Sequence, residues 1–206
     1  MEDATHRRRA RLALGLSTVA FSVCFACWIL NAVLVTFLAS SGLFAFSESQ
    51  ISWLLAAPIL TGAISRLPFG LLADRLGGKA VFTSLMLLVA VPLFGVSFAT
   101  SFSGFLVASF GFGLAGGSFA VGVSYVSSWQ KKENQGTALG VFGMGNAGAA
   151  LTTILAPILL AWFTKGGTEL EGWRLLPRVY AGALVVIALG FAAFAPPFQR
   201  PEEAPP

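Results

Sequence analysis

The chain is 206 residues long, 56% hydrophobic and only 11% charged, with a mean hydropathy of +0.79 and a formal net charge of +4. An ordinary soluble domain carries about 25% charged residues, so this composition excludes a water-soluble surface. It also argues against nucleic acid as the partner of the positive charge, because the basic residues gather at the ends of apolar stretches, where they act as topology signals.

A hydrocarbon layer ~30 Å thick is crossed by about 20 helical residues, and six stretches reach that length. In chain order the predicted spans run from Leu12 to Ala39, Ile51 to Ala73, Ala80 to Phe98, Phe102 to Trp129, Thr137 to Phe163 and Val179 to Phe198. The fold class that follows is an all-α membrane protein, a six-transmembrane-helix bundle. Residues 1–11 are expected to form a basic cytoplasmic tail, 12–198 the transmembrane domain, and 199–206 a proline-rich linker or tail. The first stretch is too long, and too plainly followed by further spans, for a cleaved signal peptide. It carries Cys24 and Cys27 in C-x-x-C spacing, but among Phe25, Ala26 and Trp28 these read as small hydrophobes, not a redox pair. His6, beside the arginines, reads as a solvated tail residue.

With the amino terminus inside, the cytoplasmic basic residues are Arg7, Arg8, Arg9, Arg11, Arg75, Lys79, Lys131, Lys132 and Arg200, against Lys165, Arg174 and Arg178 outside. That asymmetry predicts a multi-pass protein of the inner (plasma) membrane with both termini cytoplasmic. The connections are short apart from Thr164 to Arg178, so consecutive helices should lie antiparallel and adjacent.

The second span contains Arg66, which belongs to neither set. An arginine at membrane depth costs from ~2.5 to more than ~10 kcal/mol, which marks a functional site. All nine acidic residues, Glu2, Asp3, Glu48, Asp74, Glu133, Glu169, Glu171, Glu202 and Glu203, lie in loops or tails. No carboxylate is therefore available at depth to neutralise it. Snorkelling is the competing reading, but Asp74 is eight residues on, roughly 12 Å along the helix, and helical side chains lean toward the amino-terminal end, here the bilayer centre. Arg66 is thus expected to face a water-filled cavity and bind an anion. Its planar fork of donors suits a flat oxyanion, carboxylates among them.

The fourth and fifth spans are rich in glycine. Gly113 and Gly117 have G-x-x-x-G spacing; Gly136, Gly140, Gly143, Ala147 and Ala150 share one stripe of the fifth span, while Gly145 and Gly148 lie on its other side. Such smooth faces serve close helix packing, and one of them could bring backbone close to a small ligand.

Between the second and third spans the run Gly70-Leu-Leu-Ala-Asp74-Arg75-Leu-Gly77-Gly78-Lys79 resembles the G-x-x-x-D-R-x-G-x-[RK] loop of the major facilitator superfamily. The resemblance implies a conformational latch: Asp74 meets a helix dipole across a two-domain interface, and Arg75 and Lys79 anchor the turn that Gly77 permits. A narrower likeness covers Gly113 to Gly148. The runs Gly113-Leu-Ala-Gly116-Gly117-Ser-Phe119-Ala, Lys131-Lys-Glu-Asn-Gln135-Gly136-Thr-Ala-Leu-Gly140 and Gly143-Met-Gly145-Asn146-Ala-Gly148 look like the nitrate/nitrite porter family.

In that family the glycine-rich fifth helix borders the substrate and an arginine in the second helix binds it, the place Arg66 occupies. The resemblance covers the amino-terminal six-helix half of a twelve-helix fold and implies a complementary carboxy-terminal half as partner, beside the lipid bilayer. Nitrate or nitrite becomes the expected substrate, moved by alternating access, with Arg66, Asn146, Gly143, Gly145 and Phe119 as binding residues. Tyr125, Trp28 and Asn31 are further candidates for the cavity wall. Asn146 can donate to an acceptor-only anion without adding charge, though it could equally bond between helices. With no intramembrane Asp, Glu or His for proton coupling, exchange of nitrate for nitrite is favoured over symport.

Two other classes remain open: a truncated or regulatory membrane subunit that does not transport, and a facilitator of another small organic anion. An aquaporin-like channel lacks its Asn-Pro-Ala pair. No cofactor, metal cluster or nucleophile–base pair is expected, and an enzyme is not.

Overall fold

The computed structural model describes residues 2–197, with side chains from Ala4 onward. Six helices among them are long and apolar enough to cross a membrane, at Ala4–Ser40, Glu48–Leu76, Gly78–Phe98, Phe102–Ser128, Lys132–Phe163 and Leu170–Phe194. The expected end of the sixth span at Phe198, and the tail 199–206 with Arg200, lie outside the described residues.

Local chemistry sets most boundaries. The second span opens on a capping box, in which Gln50 N–H donates to Ser47 Oγ (3.3 Å) and Ser47 N–H to Gln50 Oε1 (3.0 Å). It closes at Gly77, whose φ of +92° only glycine adopts without strain and whose N–H reaches the Ala73 carbonyl at 3.0 Å. Ser101 caps the fourth span by accepting from Gly104 N–H.

Three sequence expectations change. The basic segment 1–11 is not a separate tail: the first helix runs unbroken from Glu2 to Ser40, because arginine is a good helix former. His6 is half-buried, its ring 5.7 Å from that of Trp129. The segment Thr164 to Arg178 is also not an open loop. It holds two short 3-10 turns, and the sixth α-helix begins at Leu175. Arg174 there donates to the carbonyls of Ser97 (2.7 Å) and Ala99 (3.2 Å), and Arg178 to Ser97 Oγ (3.0 Å). Two of the three expected outer charges thus close the connection between the third and fourth spans.

Consecutive spans are antiparallel, so the described ends of the chain lie at the same end of the bundle. The first span touches the second, fourth, fifth and sixth, the second packs on the third and fourth, and the third packs on the sixth. Cys24 and Cys27 are buried and free in this core, as their apolar setting suggested.

Glycines set the helix spacing. A Cβ at Gly113 would meet Pro58 O and Thr61, one at Gly116 the backbone of Gly62, and one at Gly117 the Phe69 ring. The fourth span thereby lies directly on the second. At that crossing its backbone tightens into a 3-10 turn over Leu114–Gly117, and the fifth span does the same over Met144–Asn146.

Pro58 creates a second local demand. Having no N–H, it leaves the Leu54 carbonyl without its helical donor, inside a membrane where unsatisfied backbone is costly. Asn31 supplies the bond from the first span, Nδ2 to Leu54 O at 2.8 Å, while its Oδ1 accepts from Ser109 Oγ at 2.8 Å. One side chain therefore ties the first, second and fourth spans together.

Candidate functional site

Arg66 lies in the second half of the second span, one turn beyond Gly62, and is exposed. Among the described residues it makes no hydrogen bond or ion pair. Asp74 is engaged elsewhere, accepting from Ser124 Oγ at 2.5 Å, and the other described acids sit at helix ends or in connections. The charge at depth is left without a protein counterion.

Asn146 occupies the 3-10 turn in the middle of the fifth span. It is exposed and makes no hydrogen bond among the described residues, so the alternative of an interhelical bond is not realised. The two glycine faces of this span separate by environment. A Cβ at Gly136, Gly140 or Gly143 would meet nothing within 4 Å, whereas one at Gly145 would strike Phe21 and one at Gly148 the Ser22 carbonyl. Gly145, expected beside the substrate, instead packs against the first span: its side of the helix is the one that needs smoothness for contact. Gly143 is on the open side.

Phe119 is partly exposed and joins a ring cluster that the sequence did not reveal. Its ring centroid lies 5.6 Å from Phe21 and 5.9 Å from Phe142, and Phe21 stacks on Phe142 at 4.8 Å. The series continues along the first span through Phe25 to Trp28, whose indole lies against Gly62. This aromatic band bridges the turn before Arg66 on the second span and the turn before Asn146 on the fifth. Arg66 and Asn146 flank it without touching each other. Phe21 and Phe142 carried no sequence signal beyond being two of 19 phenylalanines.

Two candidates for a cavity wall prove structural. Asn31 is buried in the three-span tie described above, and Tyr125 is buried with its hydroxyl donating to the Pro196 carbonyl at 2.5 Å. Trp28 is half-buried at the edge of the band.

In the loop at the terminal end of the bundle, Gly70 faces Ala120 across the contact with the fourth span. Gly77, which the family resemblance implied would permit the turn, closes the second helix there at a φ of +92°. Lys79 does anchor, but through the sixth span, donating from Nζ to the Ala195 carbonyl at 2.6 Å. Arg75 is exposed and bonds to nothing among the described residues, so the turn stands without it. Ser124, the partner of Asp74, carries no signal in the sequence, because no spacing rule links residues 50 apart.

The family model "Major Facilitator Superfamily" matches residues 16–206. The chain belongs to the Major Facilitator Superfamily. Among curated relatives, "Probable nitrate/nitrite antiporter NarK1" of Thermus thermophilus is 43% identical over 178 residues, covering 84% of this chain and 40% of the relative. "Probable nitrate transporter NarT" of Staphylococcus carnosus is 31% identical over 184 residues, covering 89% and 45%. The chain thus spans less than half the length of these relatives and matches their amino-terminal half.

Solved structures agree on the fold. The inward-facing, unoccupied form of a bacterial homologue of the human lysosomal transporter Spinster superposes with a TM-score of 0.74 at 18% identity, covering 96% of this chain and 45% of that one. Its occupied form gives 0.72 at 16% identity. Six spans, the loop Gly70 to Lys79 and the glycine runs of the fourth and fifth spans thus belong to a multi-pass membrane protein of this transporter superfamily, built as the amino-terminal half of its fold.

Proposed function

We propose that the chain is the amino-terminal half of a nitrate/nitrite porter, moving its anion by alternating access around a midplane site shared with a complementary six-helix half. The observation that carries this is Arg66, a permanently charged, exposed guanidinium at membrane depth with no acidic partner among the described residues. Such a group is tolerable only in a wet or anion-bound setting, and a planar triatomic or tetratomic oxyanion can accept two parallel N–H bonds from it. The relatives' names favour nitrate and nitrite over carboxylates.

Asn146, Gly143 and Phe119 complete the proposed binding surface: an uncharged donor, a smooth patch of backbone and a ring edge. Gly145 supports it from behind by seating the fifth span on Phe21. The loop Gly70–Lys79, with Asp74 and Arg75 exposed, is the proposed latch facing the complementary half. The excess of basic residues at the terminal end of the bundle supports a cytoplasmic placement of that end in the inner membrane, with 12–198 as the transmembrane domain. Exchange of nitrate for nitrite is the favoured mode because the described spans hold no Asp, Glu or His at depth to carry a proton.

The test is nitrate or nitrite flux into vesicles containing this chain with the complementary half, comparing Arg66→Lys with the parent. A drop of about tenfold or more is expected, because ammonium cannot reproduce the planar fork. Unchanged flux would remove Arg66 from the site.

A further inference from the structure

At the terminal end of the bundle, outside the site discussed above, the first turns of the first helix and the connection from the fourth to the fifth span enclose a cavity of about 430 Å³. Its wall includes His6, Arg7 and Arg11 from the helix and Trp129, Gln130, Lys131 and Asn134 from the connection. The side chains of Arg11 and Lys131 have no ion-pair or hydrogen-bond partner among the described residues, and no carboxylate among those residues lines the cavity. The amides of Gln130 and Asn134 add neutral donors, and Leu14 closes the side nearer the hydrocarbon. The buried Trp129 indole, beside the His6 ring, gives the pocket an aromatic wall.

We propose that this pocket binds the phosphate of an anionic phospholipid headgroup. Unpaired cations, amide donors and an apolar lower rim suit a phosphodiester whose acyl chains continue along the outside of the bundle, and basic pockets beside membrane spans hold such headgroups. The position fits as well. The first helix is 39 residues long, roughly 58 Å at 1.5 Å per residue, so its first turns stand in the headgroup layer and not in the ~30 Å core. Extension of the helix through the arginines, which the sequence did not suggest, is what forms the pocket's first wall. Arg8 and Arg9 lie outside it.

The experiment is thermal unfolding of the purified full chain in phosphatidylcholine nanodiscs with and without 20 mol% phosphatidylglycerol, in parallel with added sn-glycerol 3-phosphate. The parent should show a Tm increase with phosphatidylglycerol only. R11Q/K131Q should lose most of it, with lipid affinity from titration weaker by roughly tenfold or more. The control R8Q/R9Q removes the same charge from the same end and should retain the shift. Tm in phosphatidylcholine alone reports whether each variant is folded, and a pair that unfolds there is replaced by R11K/K131R, expected to keep binding. An equal loss in R8Q/R9Q would overturn the pocket in favour of diffuse attraction. A full shift with sn-glycerol 3-phosphate, and none further with lipid, would overturn the lipid and assign a soluble phosphate ester.

Discussion

Replacing Asn31 by leucine keeps the γ-branched shape and heavy-atom count of the side chain and removes two buried hydrogen bonds, one of which satisfies a carbonyl that Pro58 has orphaned. Interhelical bonds in membranes average about 0.6 kcal/mol and reach about 1.7 kcal/mol. Ser109 can turn its hydroxyl back to its own helix, as Thr18 and Ser22 do, whereas Leu54 O has lost its i+4 donor to Pro58. Asn31→Leu should therefore cost about 1–2 kcal/mol, most of it at that carbonyl. Pro58→Ala restores the missing N–H within the second span. In that background Asn31→Leu should cost only about 0.5 kcal/mol, a coupling of about 1 kcal/mol. Reversible unfolding by sodium dodecyl sulfate in mixed micelles, read by tryptophan fluorescence, measures all four proteins. An equal cost of Asn31→Leu with and without Pro58 would refute the assignment of Asn31 as the substitute donor.

Gly148→Ala places a methyl on the Ser22 backbone, which cannot rotate aside, and should destabilise by about 3 kcal/mol or more, the upper end of overpacking costs. Gly143→Ala, into open space, should be neutral or stabilising by up to about 1 kcal/mol; the same micelle titration separates them. Gly77→Ala, at a φ of +92°, should lose about 1–3 kcal/mol, visible as a lower Tm. In the vesicle assay with the complementary half, Asn146→Asp should abolish nitrate flux by like-charge repulsion while Asn146→Ser retains part of it, read as a rise in KM larger than the fall in kcat.

Number, order and approximate limits of the spans were legible because hydropathy at this scale reflects bilayer thickness, a single physical length. Charged termini were not: arginine is foreign to hydrocarbon but congenial to a helix, so hydropathy placed the start of the first helix near Leu12 while hydrogen bonding carries it back to Glu2. Arg66 could be singled out without any structure because a lone charge in an apolar run has few explanations. Gly145 and Gly143 could not be told apart, since periodicity says which residues share a side but not which side meets a neighbour. Partnerships such as Lys79 with Ala195, or Asp74 with Ser124, depend on helices far apart in sequence arriving at one level. For these the sequence held residue types but no address.

The mid-span 3-10 turns have a geometric consequence of their own. Each residue wound as 3-10 advances about 120° and 2.0 Å, against about 100° and 1.5 Å in an α-helix. Over Leu114–Gly117 the two ends of the fourth span are thus rotated by about 80° and spread by about 2 Å relative to an uninterrupted helix, and over Met144–Asn146 those of the fifth by about 60° and 1.5 Å. Rewinding either turn into α-form would act as a screw thread, swivelling one half of a span against the other while the rod stays whole. Asn146 rides on that thread, so its heading and depth are set by the local winding of the backbone as well as by where the helix stands.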